Sequence, residues 1–201
     1  MADTSIESFL AKFSSGFAHP NRYVVNFALP TGIAEYGNWM NPESGAGAIT
    51  TYQGTLNFFN KVDIACHSMT MPGRTLMVAD HKQIGGPFRI PYSHTYDPVT
   101  FTFYADNQLD IRRYFEIWQQ AVININDNSM NFWKEYVADV YMAQLDRDGN
   151  RTYWVKLFES YPLSIGDVTY SYASTHQLTE ITVSLQYRIW QAWHDNTSIG
   201  H

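Results

Sequence analysis

Seven histidines, His19, His67, His81, His94, His176, His194 and His201, give this 201-residue chain its main scope for metal or acid–base chemistry. A zinc site needs ligands at short fixed spacings, because neighbouring side chains must converge on one ion. No H-x-H or H-E-x-x-H pair occurs, and Cys66-His67 has no second thiol to join it. The histidines therefore read as separate core or surface residues, and no metal is expected. Asp146-Arg147-Asp148-Gly149-Asn150 resembles part of a calcium loop, but the glycine comes too early and the closing bidentate Glu is missing. Gly85-Gly86-Pro87 and Gly45-Ala46-Gly47 lack the strand–loop–helix setting and the Lys-Ser/Thr of a phosphate cradle. No G-x-S-x-G elbow is present. Carboxylate pairs for glycoside hydrolysis meet only in space, and nothing in the sequence marks one. We expect no enzyme and no cofactor.

Composition points the same way. Aromatic residues make up 16% of the chain and charged residues only 16%, with a net charge of −6. A folded protein rich in protein contacts fits this balance, and so does an aromatic β core. The 13 Lys and Arg residues are scattered, so there is no basic footprint for gripping nucleic acid. Enclosing DNA without gripping it remains compatible. The single cysteine excludes an intramolecular disulfide framework. Met1-Ala2-Asp3-Thr4-Ser5-Ile6-Glu7 does not resemble a secretory leader. No apolar run approaches the roughly 18 residues of a membrane span.

These side chains need elements to position them. Residues 1–20 read as an N-terminal amphipathic segment, with Phe9, Leu10, Phe13 and Phe17 at helix-like spacing, stopped at His19-Pro20. Residues 22–29 alternate as a half-buried strand, Tyr23, Val25, Phe27 and Leu29 sharing a face. Residues 30–53 turn to Gly, Pro, Asn and Ser and read as an exposed loop. Strands are expected at 63–70, 89–96 and 99–105, the last with Val99, Phe101 and Phe103 on one side and Thr100, Thr102 and Tyr104 on the other. One helix is expected, capped by Asn107 with Asp110 in its first turn, its stripe being Ile111, Phe115, Trp118 and Val122. Residues 139–145 and 152–158 flank the Asp-Gly turn as a hairpin. Residues 162–179 read as a connection holding a short strand near 168–172. In the final strand Ile181, Val183, Leu185, Tyr187 and Ile189 face one way, and Thr182, Ser184, Gln186 and Arg188 the other. Together they make one mainly β domain over residues 1–201, an antiparallel β-sandwich or barrel with one flanking α-helix.

Three stretches resemble the tail-tube protein family of contractile-tailed (myovirus-type) bacteriophages. Phe17-Ala18-His19-Pro20-Asn21-Arg22-Tyr23 opens the first strand where the family commonly has "RPN", His19 replacing the Arg. Met71-Pro72-Gly73-Arg74-Thr75-Leu76 is similar to "LPGRTL". Tyr161-Pro162-Leu163-Ser164, then His176-Gln177-Leu178-Thr179 and Tyr187-Arg188-Ile189-Trp190, follow the family's ending. The chain departs from the pattern in carrying Tyr170 or Tyr172 where many relatives have Trp. Its 30–53 loop is also longer than in the shortest members.

The resemblance implies a structural virion protein without catalysis. Its subunits would form six-fold homo-oligomeric rings, stacked into a tail tube within a sheath on a baseplate and assembled in the host cytoplasm. DNA would pass through the lumen without specific binding, and no membrane would be involved. On that footing Thr182, Ser184, Gln186 and Arg188 are expected on an assembled surface, lumen or subunit interface, against the alternative of an ordinary solvated strand face. The 30–53 loop is expected to order on stacking. Rival readings are a baseplate tube-initiator ring, a secretion or injection tube carrying no DNA, and a carbohydrate-binding β-sandwich using its aromatics as platforms.

Overall fold

The computed structural model describes residues 6, 17–31, 62–82, 85–86, 88–125, 127–171 and 177–194. Most of the expected N-terminal segment and residues 32–53 of the loop lie outside them. In chain order the elements are β1 (Tyr23–Phe27), β2 (Cys66–Met69), β3 (Thr75–His81), β4 (Phe88–Thr95), β5 (Val99–Tyr104), α1 (Asp110–Val122), α2 (Trp133–Tyr136), β6 (Ala138–Leu145), β7 (Arg151–Ile165), β8 (Glu180–Gln186) and β9 (Ile189–His194).

Seven strands form one antiparallel sheet folded on itself. Its order is β1-β6-β7-β8-β5-β2, with β9 also on β7. The fold turns on β7, whose 15 residues serve two layers. Up to Ser160 it pairs with β6, and over residues 153–158 with β9; from Tyr161 on it pairs with β8. The change of partner comes at Glu159, which takes a left-handed φ of 53° beside a register shift in the ladder. Such an irregularity lets a strand bend sharply. Alongside, β8 and β9 run the other way and break at Tyr187-Arg188, opposite the same point.

The two layers close on one apolar core. From the first come Val25, Phe27, Val140, Met142, Val155 and Leu157; from the second Val99, Phe101, Phe103, Ile181, Val183 and Leu185. Phe27 spans the gap, its ring centroid 5.3 Å from Phe101 and 5.9 Å from Phe103. Each such side chain contributes about 1.5–3 kcal/mol through burial, and tilted ring pairs add to that. Asp63 ties the β1 edge to the start of the second layer, accepting hydrogen bonds from Asn26 Nδ2 (3.0 Å) and the Phe27 N–H (3.3 Å).

Helix α1 lies against the second half of β7. Arg112 donates to the Gly166 carbonyl at 3.0 Å and Gln119 to that of Leu163 at 3.5 Å, so the helix covers an otherwise open sheet edge. Gly166 suits the close approach there: a Cβ would lie 3.1 Å from the Thr182 carbonyl oxygen, to which its own N–H donates, so a larger residue would need a small shift.

The alternation of residues 22–29 and 99–105 and the 139–158 hairpin form as expected, and mainly antiparallel β architecture with a flanking helix is what the chain adopts. Four details differ. Residues 62–65 are helical, so β2 begins only at Cys66. Asn107 does not cap α1; Leu109 stands at the cap with φ 55°, and Asp106 Oδ1 accepts the Asp110 N–H at 2.9 Å. Residues 162–165 continue β7 through Pro162, while 168–171 form no strand. The last strand is two strands: Tyr187 is buried but Ile189 is exposed, because the bend reverses the inward phase and Trp190 packs on the core instead.

Candidate functional site

Sequence alternation did not reveal β3, and with it an arm exposed along both its strands. β3 and β4 pair only with each other, forming a two-stranded arm off the main sheet. Leu76, Met77, Val78, Phe88, Ile90 and Tyr92 on it are each 41–67% exposed. An isolated hairpin is marginal in water, and large apolar side chains exposed along it point to a contact region. The Asp80–Arg89 pair at 3.3 Å is well exposed and adds little to its stability. A run that exposes both faces has no period-two signal. The available cues were the β-prone stretch at 75–81 and Gly85, whose φ of 105° suits a turn.

The root of the arm is built differently from the arm itself. The β2–β5 ladder reaches Thr70, whose N–H donates to Thr100 O at 2.9 Å, and pairing resumes only at Thr75 opposite Thr95. Between them lie Pro72 and Pro98, which have no N–H to donate. Side chains bridge this gap. The Arg74 guanidinium sits 5.6 Å from the Tyr96 ring centre and 5.1 Å from that of Trp190 on β9. Tyr96 in turn lies 5.7 Å from Tyr187, whose hydroxyl donates to Asp97 O at 3.0 Å.

The outer face of the second layer is a carpet of hydroxyls. Thr182, Ser184 and Gln186 share it with Thr100, Thr102 and Ser164, their strands paired Thr102 to Thr182 and Thr100 to Ser184. Thr100 Oγ1 and Ser184 Oγ lie 3.4 Å apart. None of β2, β5, β8 or residues 161–165 of β7 carries a Lys or Arg. At one end His67 stacks on Tyr104 at 4.3 Å and faces Glu180 at 3.4 Å. Arg188, expected on this face, lies beyond the bend and pairs with Glu159 at 2.8 Å. The structure thus unites three of the four expected residues and separates the fourth.

The residues with chemical scope do not converge. Cys66 points into the core, and burial pushes its thiol up to about 12, whereas His67 faces outward. Burial likewise raises the Asp63 carboxyl to about 6, offset in part by its two hydrogen bonds. A cavity of about 470 Å³ lies beside the start of β1 and is lined by His19, Arg22, Tyr23, His67 and Gln144. Its polar groups are engaged locally: Arg147 Nε donates to His19 Nε2, and Arg22 to the carbonyls of Asp146 and Arg147. Among the described residues no three His, Cys, Asp or Glu side chains group as metal ligands, and no helix is long and apolar enough to cross a membrane.

Comparison with known proteins gives a consistent picture. A family model described as phage tail tube protein matches residues 18–193. A chain of the anti-feeding prophage baseplate superposes with a TM-score of 0.59 at 15% identity, covering 89% of this chain and 97% of that one. A chain of the extended sheath–tube complex of an extracellular contractile injection system, PVC, gives 0.56 at 9% identity over 96% and 99%. The cap that terminates the anti-feeding prophage tube gives 0.56 at 9% over 89% and 91%. At these identities the likeness is one of fold. No curated protein sequence matches.

Proposed function

The chain belongs to the phage tail tube protein family, a structural family rather than an enzymatic one, and on that premise we propose that it is the repeating subunit of a tube of stacked six-fold rings. The rings sit inside a contractile sheath on a baseplate, as part of a virion, and DNA passes along the lumen during ejection. The observation that carries this reading is the β3–β4 arm, whose six large apolar residues are exposed although the described residues of the body bury a core. A second copy would cover them.

The hydroxyl face suits the lumen. Phosphate contacts come mainly from Lys and Arg, and its four strand segments have neither. A polyanion could slide past Thr182, Ser184 and Gln186 without being held. Arg188, paired at the bend, belongs to the subunit's own framework or to a contact with a neighbour. Likeness to a chain of a sheath–tube complex supports the contractile setting.

Negative-stain electron microscopy of the purified protein, before and after concentration, tests the proposal. Long hollow tubes of uniform width are expected. Isolated rings that never extend would favour the baseplate initiator, a reading in keeping with the fold shared with a baseplate chain. Monomers alone, even with preformed baseplates as seeds, would overturn both.

A further inference from the structure

Among the described residues Arg74 has no hydrogen bond or ion pair, and its guanidinium contacts are two aromatic rings. Its partners are two aromatic rings from different parts of the chain: Tyr96, at the end of the arm, and Trp190, on a strand of the first layer. Backbone hydrogen bonds do not carry across from the body to the arm. Ladder pairing stops at Thr70–Thr100 and restarts at Thr75–Thr95, with a proline in each connecting segment. The peptide links on either side are therefore a natural hinge. The rings are themselves firmly seated, since Trp190 packs on the core and Tyr96 rests against Tyr187, which is 3% exposed.

We propose that Arg74 is a positioning residue: a clamp that fixes the arm's direction relative to the body and so sets the concentration at which copies join. The guanidinium lies within cation–π reach of both rings at once, and its broad, weakly hydrated charge suits two aromatic partners better than a lysine ammonium does. The consequence for assembly rests on the tube reading above; the clamp does not. It also gives the Met71-Pro72-Gly73-Arg74 stretch a physical role, with the proline breaking the ladder and the arginine restoring a fixed angle.

The test is a pair of spin labels in the full chain, at Lys82→Cys on the arm and Asp148→Cys on the body, read by double electron–electron resonance on the soluble subunit. Both sites are exposed, while native Cys66 is buried. Arg74→Ala should broaden the distance distribution, with a roughly tenfold larger population of displaced arms, the factor expected from losing two cation–π contacts at an exposed site. Arg74→Lys should fall between, and both variants should need a higher concentration to form tubes. An unchanged distribution in Arg74→Ala overturns the clamp. A broadened distribution with unchanged tube formation overturns its role in assembly. Failure of the tube reading itself looks different: unaltered protein would form no rings or tubes, yet the distribution would still broaden in Arg74→Ala and uphold the clamp.

Discussion

Glu159 and Arg188 meet at 2.8 Å across the bend where two neighbouring strands both pass from one layer to the other. Glu159 also accepts the Trp133 indole N–H at 2.8 Å, so one side chain joins β7, the β8–β9 junction and α2. Its backbone is left-handed at the same position. The bend is thus held by a strained residue whose side chain offsets the strain.

Replacing Glu159 separates those two effects. Glu159→Ala should lower stability by about 1 kcal/mol, the net worth of its hydrogen bond from the Trp133 indole, whose N–H water can then reach, because the Arg188 partner is largely exposed and adds little. Glu159→Gly loses the same contacts but relaxes φ, and should be the more stable of the two variants. Urea midpoints decide it; a Gly variant weaker than Ala would refute the account of strain.

Charge on the arm should block assembly without touching the fold. Met77→Lys sits where the side chain is 41% exposed and outside the core. Its melting temperature should stay within roughly 2 °C of the unaltered protein, as is usual for surface changes. Sedimentation should show rings and tubes lost. Tubes of normal length would mean the arm is not a contact.

If the hydroxyl face lines a DNA-conducting lumen as proposed, Gln186→Lys should leave the subunit folded but impair assembly or DNA ejection, and Gln186→Glu should be milder on ejection, since it repels rather than holds phosphate. Infectivity of phage carrying each variant, with micrographs of their tails, is the readout. If both variants assemble and infect normally, this face is ordinary solvated surface.

Asp63 gives a pH dependence of known sign. Its folded-state pKa of about 6 lies above the ordinary 3.8, so the folded protein binds the extra proton between those values. The stabilisation it contributes is complete below the unfolded pKa and is lost as pH rises through about 6. Asp63→Asn removes the titration. Relative to unaltered protein it should gain in urea midpoint between pH 4 and pH 7; a constant difference would show that the carboxyl titrates normally.

Cys66 should resist thiol reagents at pH 8 while the protein is folded, because burial keeps the thiol protonated. Labelling should track global unfolding as urea is added. Rapid labelling in buffer would place the β2 end of the core in contact with solvent.

What could be read from the sequence was whatever one-sided burial imposes. Val99, Phe101 and Phe103 alternate because β5 has one wet face, and the Ile111–Phe115–Trp118 stripe repeats because α1 has one dry side. The arm was hidden for the converse reason, with neither face buried. Alternation carries no sign of the bend that ends β8, so the strand expected from sequence runs on to Ile189; the bend shows in the change of partner along β7 and in the exposure of Ile189. Arg188 was misplaced with it. The partners of Arg74 and Asp63 lie far off in the chain, and no local pattern announces them.

A sandwich whose two sheets touch only through side chains can shear along its greasy midplane. This one cannot do so freely, since β7 belongs to both sheets and the β8–β9 segment runs beside it through the same bend. Sliding one layer over the other would tear backbone ladders as well as displace a core. A subunit made this way transmits a push as a rigid block, so a column of such blocks driven end-on would yield at the joints between them before it yielded within.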